Sequence, residues 1–180
     1  KLVGPYLVAM TMLTLAATLI TIFLRPDPFL LAREERGEVY KKQKRAFRQA
    51  FAVIREIPSA WLALHAIVIG HITMVTIMVM TPVHMAHVDV SLRLIGLVIS
   101  VHVLGMYALS PLVGKIVDQF GRIQTILIGV IILLASALIS GLAYADAVVQ
   151  LGIGLFLLGL GWSCTLIAGS TLLAESLPAE

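Results

Sequence analysis

Fixed charge is confined to a few short stretches of this chain, and that confinement decides what it can fold into. Fourteen of its 23 fixed charges fall between Arg25 and Glu56. What remains is a set of long runs with almost no Asp, Glu, Lys or Arg. A water-soluble domain carries charge on roughly a quarter of its residues, whereas this chain carries it on 13% and has a mean hydropathy of +1.01. A run of about 20 apolar residues matches a hydrocarbon core ~30 Å thick. Five such runs are legible: about 3–24, 59–83, 92–113, 123–144 and 148–173. Backbone polar groups in hydrocarbon must be satisfied within the segment, so continuous runs of this length are helices. Barrel strands would instead show short alternating segments. The expected class is an all-α integral membrane protein with five transmembrane helices.

The connector at 25–58 and the stretch 114–122 hold eleven of the thirteen Lys and Arg residues. Cations flanking spans report orientation, so both stretches are expected on the cytoplasmic side, with a there-and-back helix pair between them. The turns near Asp89 and Asp146 then face outward. The sequence pI is about 9.3. Nucleic acid is not the expected partner, because the basic residues sit beside spans and among acids. Within the connector, Tyr40, Phe47, Phe51 and Ile54 share one helical face, with Lys41, Lys42, Lys44, Arg45 and Arg48 opposite. Such a helix at 33–56 links two bundles and suits anionic inner-leaflet lipid. The single cysteine, Cys164, lies in an apolar run and excludes a disulfide framework. The chain begins with Lys1, and Arg25-Pro26-Asp27-Pro28 follows the first run where a signal peptide would have a small-residue cleavage site. The first run therefore does not read as a leader, and a chain that starts with Lys and ends directly after a span reads as a piece of a longer protein. Residues 1–24 hold one expected span and residues 59–180 hold four.

Between the third and fourth runs stands Gly114-Lys115-Ile116-Val117-Asp118-Gln119-Phe120-Gly121-Arg122. Its Gly, Asp, Gly and Arg resemble the cytoplasmic loop signature of the major facilitator superfamily of secondary transporters, G-x-x-x-D-[RK]-x-G-R-[KR]. Gln119 and Ile123 stand where that pattern has basic residues, as suits the more degenerate copy in the second half of such carriers. The resemblance implies part of a 12-helix bundle: the sixth helix, the central loop and helices seven to ten. It also implies a gating role for Gly114, Asp118, Gly121 and Arg122, with Asp118 capping a helix N-terminus and Arg122 binding carboxylates or terminal carbonyls of a neighbouring helix. Both glycines were open to a tight turn with positive φ.

Ionisable groups inside spans face a cavity or a partner, and none of the mid-span residues is an acid. His65, His71 and His102 are therefore the candidates, with Trp162, for a substrate or proton pathway. At 1.5 Å per residue, His71 and His102 lie about 18 and 16 Å from the cytoplasmic ends of their spans, near the midplane where carrier sites lie. The plainer expectation for each is a neutral imidazole bonded across a helix contact. Met74 and Met78 share a face with His71, and His84, His87 and Asp89 gather near the outer mouth. Packing and solvation explain these groups without a metal. No phosphate-binding loop is present, and no cofactor or enzymatic chemistry is expected. The leading function is secondary active transport of a small solute through a cell membrane by alternating access; the coupling ion stays open, with a proton as one candidate. The apolar, Met-bearing spans favour a hydrophobic solute, as in drug-efflux carriers. The alternatives are a redox subunit with haem between histidines, and a membrane scaffold without transport.

Overall fold

The computed structural model describes residues 3–25, 31 and 46–177. The basic run 32–45 lies outside them, and with it most of the connector's expected cationic face. The described chain falls into two units, one ending at Arg45 and one beginning at Ala46. The described residues of the first include the apolar helix α1 (Val3–Phe23), whose Thr11, Thr14, Thr18 and Thr21 hydroxyls donate back to carbonyls of its own helix. That internal bonding satisfies each hydroxyl in hydrocarbon.

The second unit contains six helices: α2 (Ala46–Glu56), α3 (Pro58–Ala86), α4 (Leu92–Tyr107), α5 (Ser110–Phe120), α6 (Arg122–Gly141) and α7 (Val148–Ser176). α4 and α5 together make one span, so five segments in the described chain are long and apolar enough to cross a bilayer. The chain is thus an all-helical membrane protein segment, as its hydropathy requires. α2 is short and amphipathic. Its Phe51 meets Trp61 at the start of α3 edge-to-face, with centroids 5.7 Å apart.

α7 is the centre of the unit, and α3, α4, α5 and α6 all pack against it. In its apolar window 61% of residues are buried, against 17 to 28% in the other three spans of the unit. Glycines on α7 let α4 approach closely. A Cβ added to Gly159 would fall on the His102 carbonyl and 2.8 Å from the Met106 nitrogen, both α4 backbone. Small residues at such crossings replace the hydrophobic drive that lipid removes.

The signature stretch is not the loop its composition suggests. Residues 114–120 continue helix α5, and Gly121 alone ends it, at φ 96°. Pro111 lies in the first turn of α5, at a helical position where a missing N–H costs nothing. The actual interruption falls earlier, at Ala108–Leu109. There the Ser110 hydroxyl donates to the Met106 carbonyl at 3.1 Å.

Candidate functional site

Trp162, His71 and Tyr107 come from three helices and meet at one level. His71 stands fourteenth in the 29-residue α3, Trp162 fifteenth in the 29-residue α7, and Tyr107 sixteenth in the 29-residue span 92–120. Each is within a residue of the centre of its span, so the three share the midplane. The Trp162 indole Nε1–H donates to His71 Nδ1 at 3.1 Å. Tyr107 meets the same indole edge-to-face at 6.3 Å. Trp162 is buried, while His71 and Tyr107 remain exposed, Tyr107 by 61%. Tyr107 is also the last residue of α4. Pro111 has no N–H for the Tyr107 carbonyl four residues back, so the break frees an acceptor beside the ring cluster.

The other histidines stand elsewhere. His102 is 1% exposed in the α4–α7 interface, where its Nδ1 donates to the Leu155 carbonyl at 2.8 Å. Its Nε2 is buried without a partner among the described residues. His102 therefore does not open onto the same face as His71, despite their similar depth. His65 bonds back to the Trp61 carbonyl of its own helix at 2.8 Å and lines an apolar groove of about 340 Å³ between α3 and α6. His84 and His87 line a cleft of about 670 Å³ near the C-terminal end of α3, which shares no lining residue with the His71–Trp162 pair. Tyr107 was not read from the sequence as a site residue. The available signal was Pro111, which marks a break within a span where an aromatic residue precedes it by one turn.

At the far end of α7 lies the second polar constellation. Arg122 opens α6, and its Nε and Nη2 donate to the two carboxylate oxygens of Glu175, at 2.9 and 2.6 Å. Its Nη1 also reaches the Val117 carbonyl at the end of α5, at 3.4 Å. Glu175 is thirteen residues past Trp162, so about 20 Å from the midplane and beyond the ~15 Å half-thickness of hydrocarbon. The bidentate pair thus ties α6 and α7 at the membrane boundary. Asp118 does not take the capping position expected of it. It lies on the exposed face of α5, and α6 starts without a side-chain cap. Gly114 is helical, with open space where a Cβ would stand, whereas Gly121 occupies a backbone conformation that favours glycine. Glu175 was also missed. It sits 53 residues from Arg122, but antiparallel neighbours bring the start of one span beside the end of the next.

Among the described residues no group of three His, Cys, Asp or Glu is gathered as a metal site would need. His65, His71 and His102 each engage a different partner, on separate faces.

A broken span, a polar cluster at mid-depth and an ion pair joining two helix ends define a polytopic membrane bundle. The chain belongs to the Major Facilitator Superfamily, whose family model matches residues 3–180. It is a family of transporters, not of enzymes. The chain is 34% identical over 98% of its length to the uncharacterized MFS-type transporter YddS of Bacillus subtilis (strain 168). It is also 34% identical over 98% of its length to the uncharacterized MFS-type transporter YdeG of the same organism. It spans 41% of the length of each of these curated relatives. No solved structure matches the chain.

Proposed function

We propose that this segment forms part of a secondary active carrier that moves a small solute across the cell membrane by alternating access, past a midplane site built by His71, Trp162 and Tyr107. The observation that carries the proposal is the convergence of these three side chains at the centres of their spans, next to a helix interruption. Carrier sites lie at that depth and use discontinuous helices. A polar ring exposed there would be costly against lipid, so its face borders a cavity or the rest of the bundle. Gly121, Arg122 and Glu175 serve as the inner gate, which holds α6 to α7 and opens as the halves rock; Gly114 and Asp118 lie beside it on α5. The connector and residues 114–122 are assigned to the cytosol by their cations. Arg48 and Arg55 on exposed α2, next to the aromatic contact of Phe51, suit an anionic inner leaflet. The apolar surroundings of the site suit a hydrophobic solute, and His71 is the group placed to carry a coupling proton.

An alanine series in the intact carrier, assayed for solute flux in vesicles, tests the site. His71→Ala and Trp162→Ala should lower flux strongly with the fold retained. His102→Ala should act mainly on stability, because that ring fills a helix interface. Unchanged flux in both His71→Ala and Trp162→Ala would remove the midplane site.

A further inference from the structure

Three metal-ligating side chains line up at the C-terminal end of α3. Met80, His84 and His87 are spaced i, i+4 and i+7, which is one face of a helix. Residues three and four apart on a helix are neighbours, with Cβ atoms roughly 5–6 Å apart. All three line the same cleft of about 670 Å³, between α3 and the end of α6. They do not serve the core of the unit. Met74, Met78 and Met85 pack there, while Met80 stands outside it at 58% exposure.

The backbone prepares His87 as a ligand. Its Nδ1–H donates to the Val83 carbonyl at 2.7 Å, one turn back. The lone pair then sits on Nε2, at the free end of the ring. Metal-bound histidines hold their second nitrogen in this way, which fixes tautomer and ring direction together. His84 lies in the last turn of α3 and His87 caps it, and a helix C-terminus favours a cation. Pro82 stands between Met80 and His84 and has no N–H for the Met78 carbonyl. The donors therefore straddle a turn that lacks one backbone bond.

The third donor is a thioether, not a further imidazole, thiol or carboxylate, and this decides the ion. Thioether sulfur selects Cu(I), which imidazole also suits. Mg2+ and Ca2+ take oxygen ligands, and Zn2+ takes Cys, His and carboxylate.

We propose that Met80, His84 and His87 form a binding site for Cu(I), held by the Met80 sulfur, His87 Nε2 and one ring nitrogen of His84. The site shares no residue with the midplane cluster and does not depend on it. Coordination uses lone pairs of neutral groups, so no proton leaves, no electron moves and the ion keeps its single positive charge. Once bound, it ties the two sides of Pro82 together and stiffens the end of α3. Solvation alone was the expectation for His84 and His87, and the shared face with Met80 departs from it.

The test is competition for Cu(I) between the intact purified carrier, free of affinity tags, and the chelator bicinchoninate under reducing, oxygen-free conditions. The carrier should hold an equivalent of Cu(I) that the double variant His84→Gln with His87→Gln lacks, and its melting temperature should rise with Cu(I) as mass action requires. His84→Gln and His87→Gln alone should each weaken binding roughly tenfold or more. Met80→Leu should weaken Cu(I) binding by a similar factor without weakening Zn2+ binding. His65→Gln, on another part of α3, should bind as the parent does. The three ligands are exposed, so the metal-free variants should melt with the parent. No Cu(I) held by folded carrier, or as much held by the double variant as by the parent, would overturn the site. Undiminished Cu(I) binding by Met80→Leu, with both histidine variants weakened, would overturn the Cu(I) assignment and leave an imidazole site for Zn2+ or Ni2+.

Discussion

Arg122 shows how far a single residue can be read without its neighbours. A guanidinium opening a span calls for carboxylate or helix-terminal carbonyl partners, and the structure supplies both, in Glu175 and the Val117 carbonyl. The chemistry was legible; the identity of Glu175 was not, because pairing across 53 residues depends on how two spans lie together. The pair is partly exposed, so its main effect is expected on gating, not on folding. Glu175→Gln should increase inward opening, read as faster labelling of a cysteine introduced on the inner side of the site. The double exchange of Arg122→Glu with Glu175→Arg should restore the original labelling rate. Gly121 makes a different prediction. At φ 96°, ψ 162° it holds a conformation that costs other residues about 1–3 kcal/mol. Gly121→Ala should lower thermal stability in detergent by that order, whereas Gly114→Ala, in an open helical position, should not lower it. The signature pattern treats the two glycines alike; backbone geometry separates them.

At the level of elements, apolar length alone located the spans, because hydrocarbon thickness leaves little choice. It could not locate the interruption in the third one. Tyr107–Pro111 carries no Asp, Glu, Lys or Arg, so the run reads as continuous and the polar residues after it read as a loop. The local chemistry of Pro111 overrides that reading: its ring starts α5 and leaves the Tyr107 carbonyl unbonded. Pro111→Ala should supply the missing N–H, favour one unbroken helix and reduce flux while leaving the fold intact; flux and melting temperature together check this. Helix contacts follow the same logic of backbone approach. Gly159→Ala puts a methyl group onto α4 backbone that has no room to yield, so it should destabilise by about 1–3 kcal/mol. Gly152→Ala, where nothing stands nearby, should cost little. Only the packing of α4 on α7 tells the two glycines apart.

For the whole molecule, the segregation of charge and the length of the runs were enough to give the class, and the signature stretch was enough to suggest the family. The centre of the bundle was less accessible. Counting residues along spans put His71 and His102 at similar depth, but depth does not say which way a helix faces. Rotation about the helix axis buries His102 against Leu155 and turns His71 towards Trp162. The orientation of the chain is checked by cysteines at 43 and 119, which should label from the same side of an intact membrane, opposite to one at 88. The central claim, that the midplane face of Tyr107 lines an alternately opened path, has a more direct test. A Tyr107→Cys variant of the intact carrier can be exposed to a membrane-impermeant thiol reagent, in right-side-out and in inside-out vesicles. The account predicts modification from both sides, with the inner-side rate raised by Glu175→Gln. A cysteine there that reacts from neither side would mean that the face meets lipid, and the carrier site would not be where these residues converge.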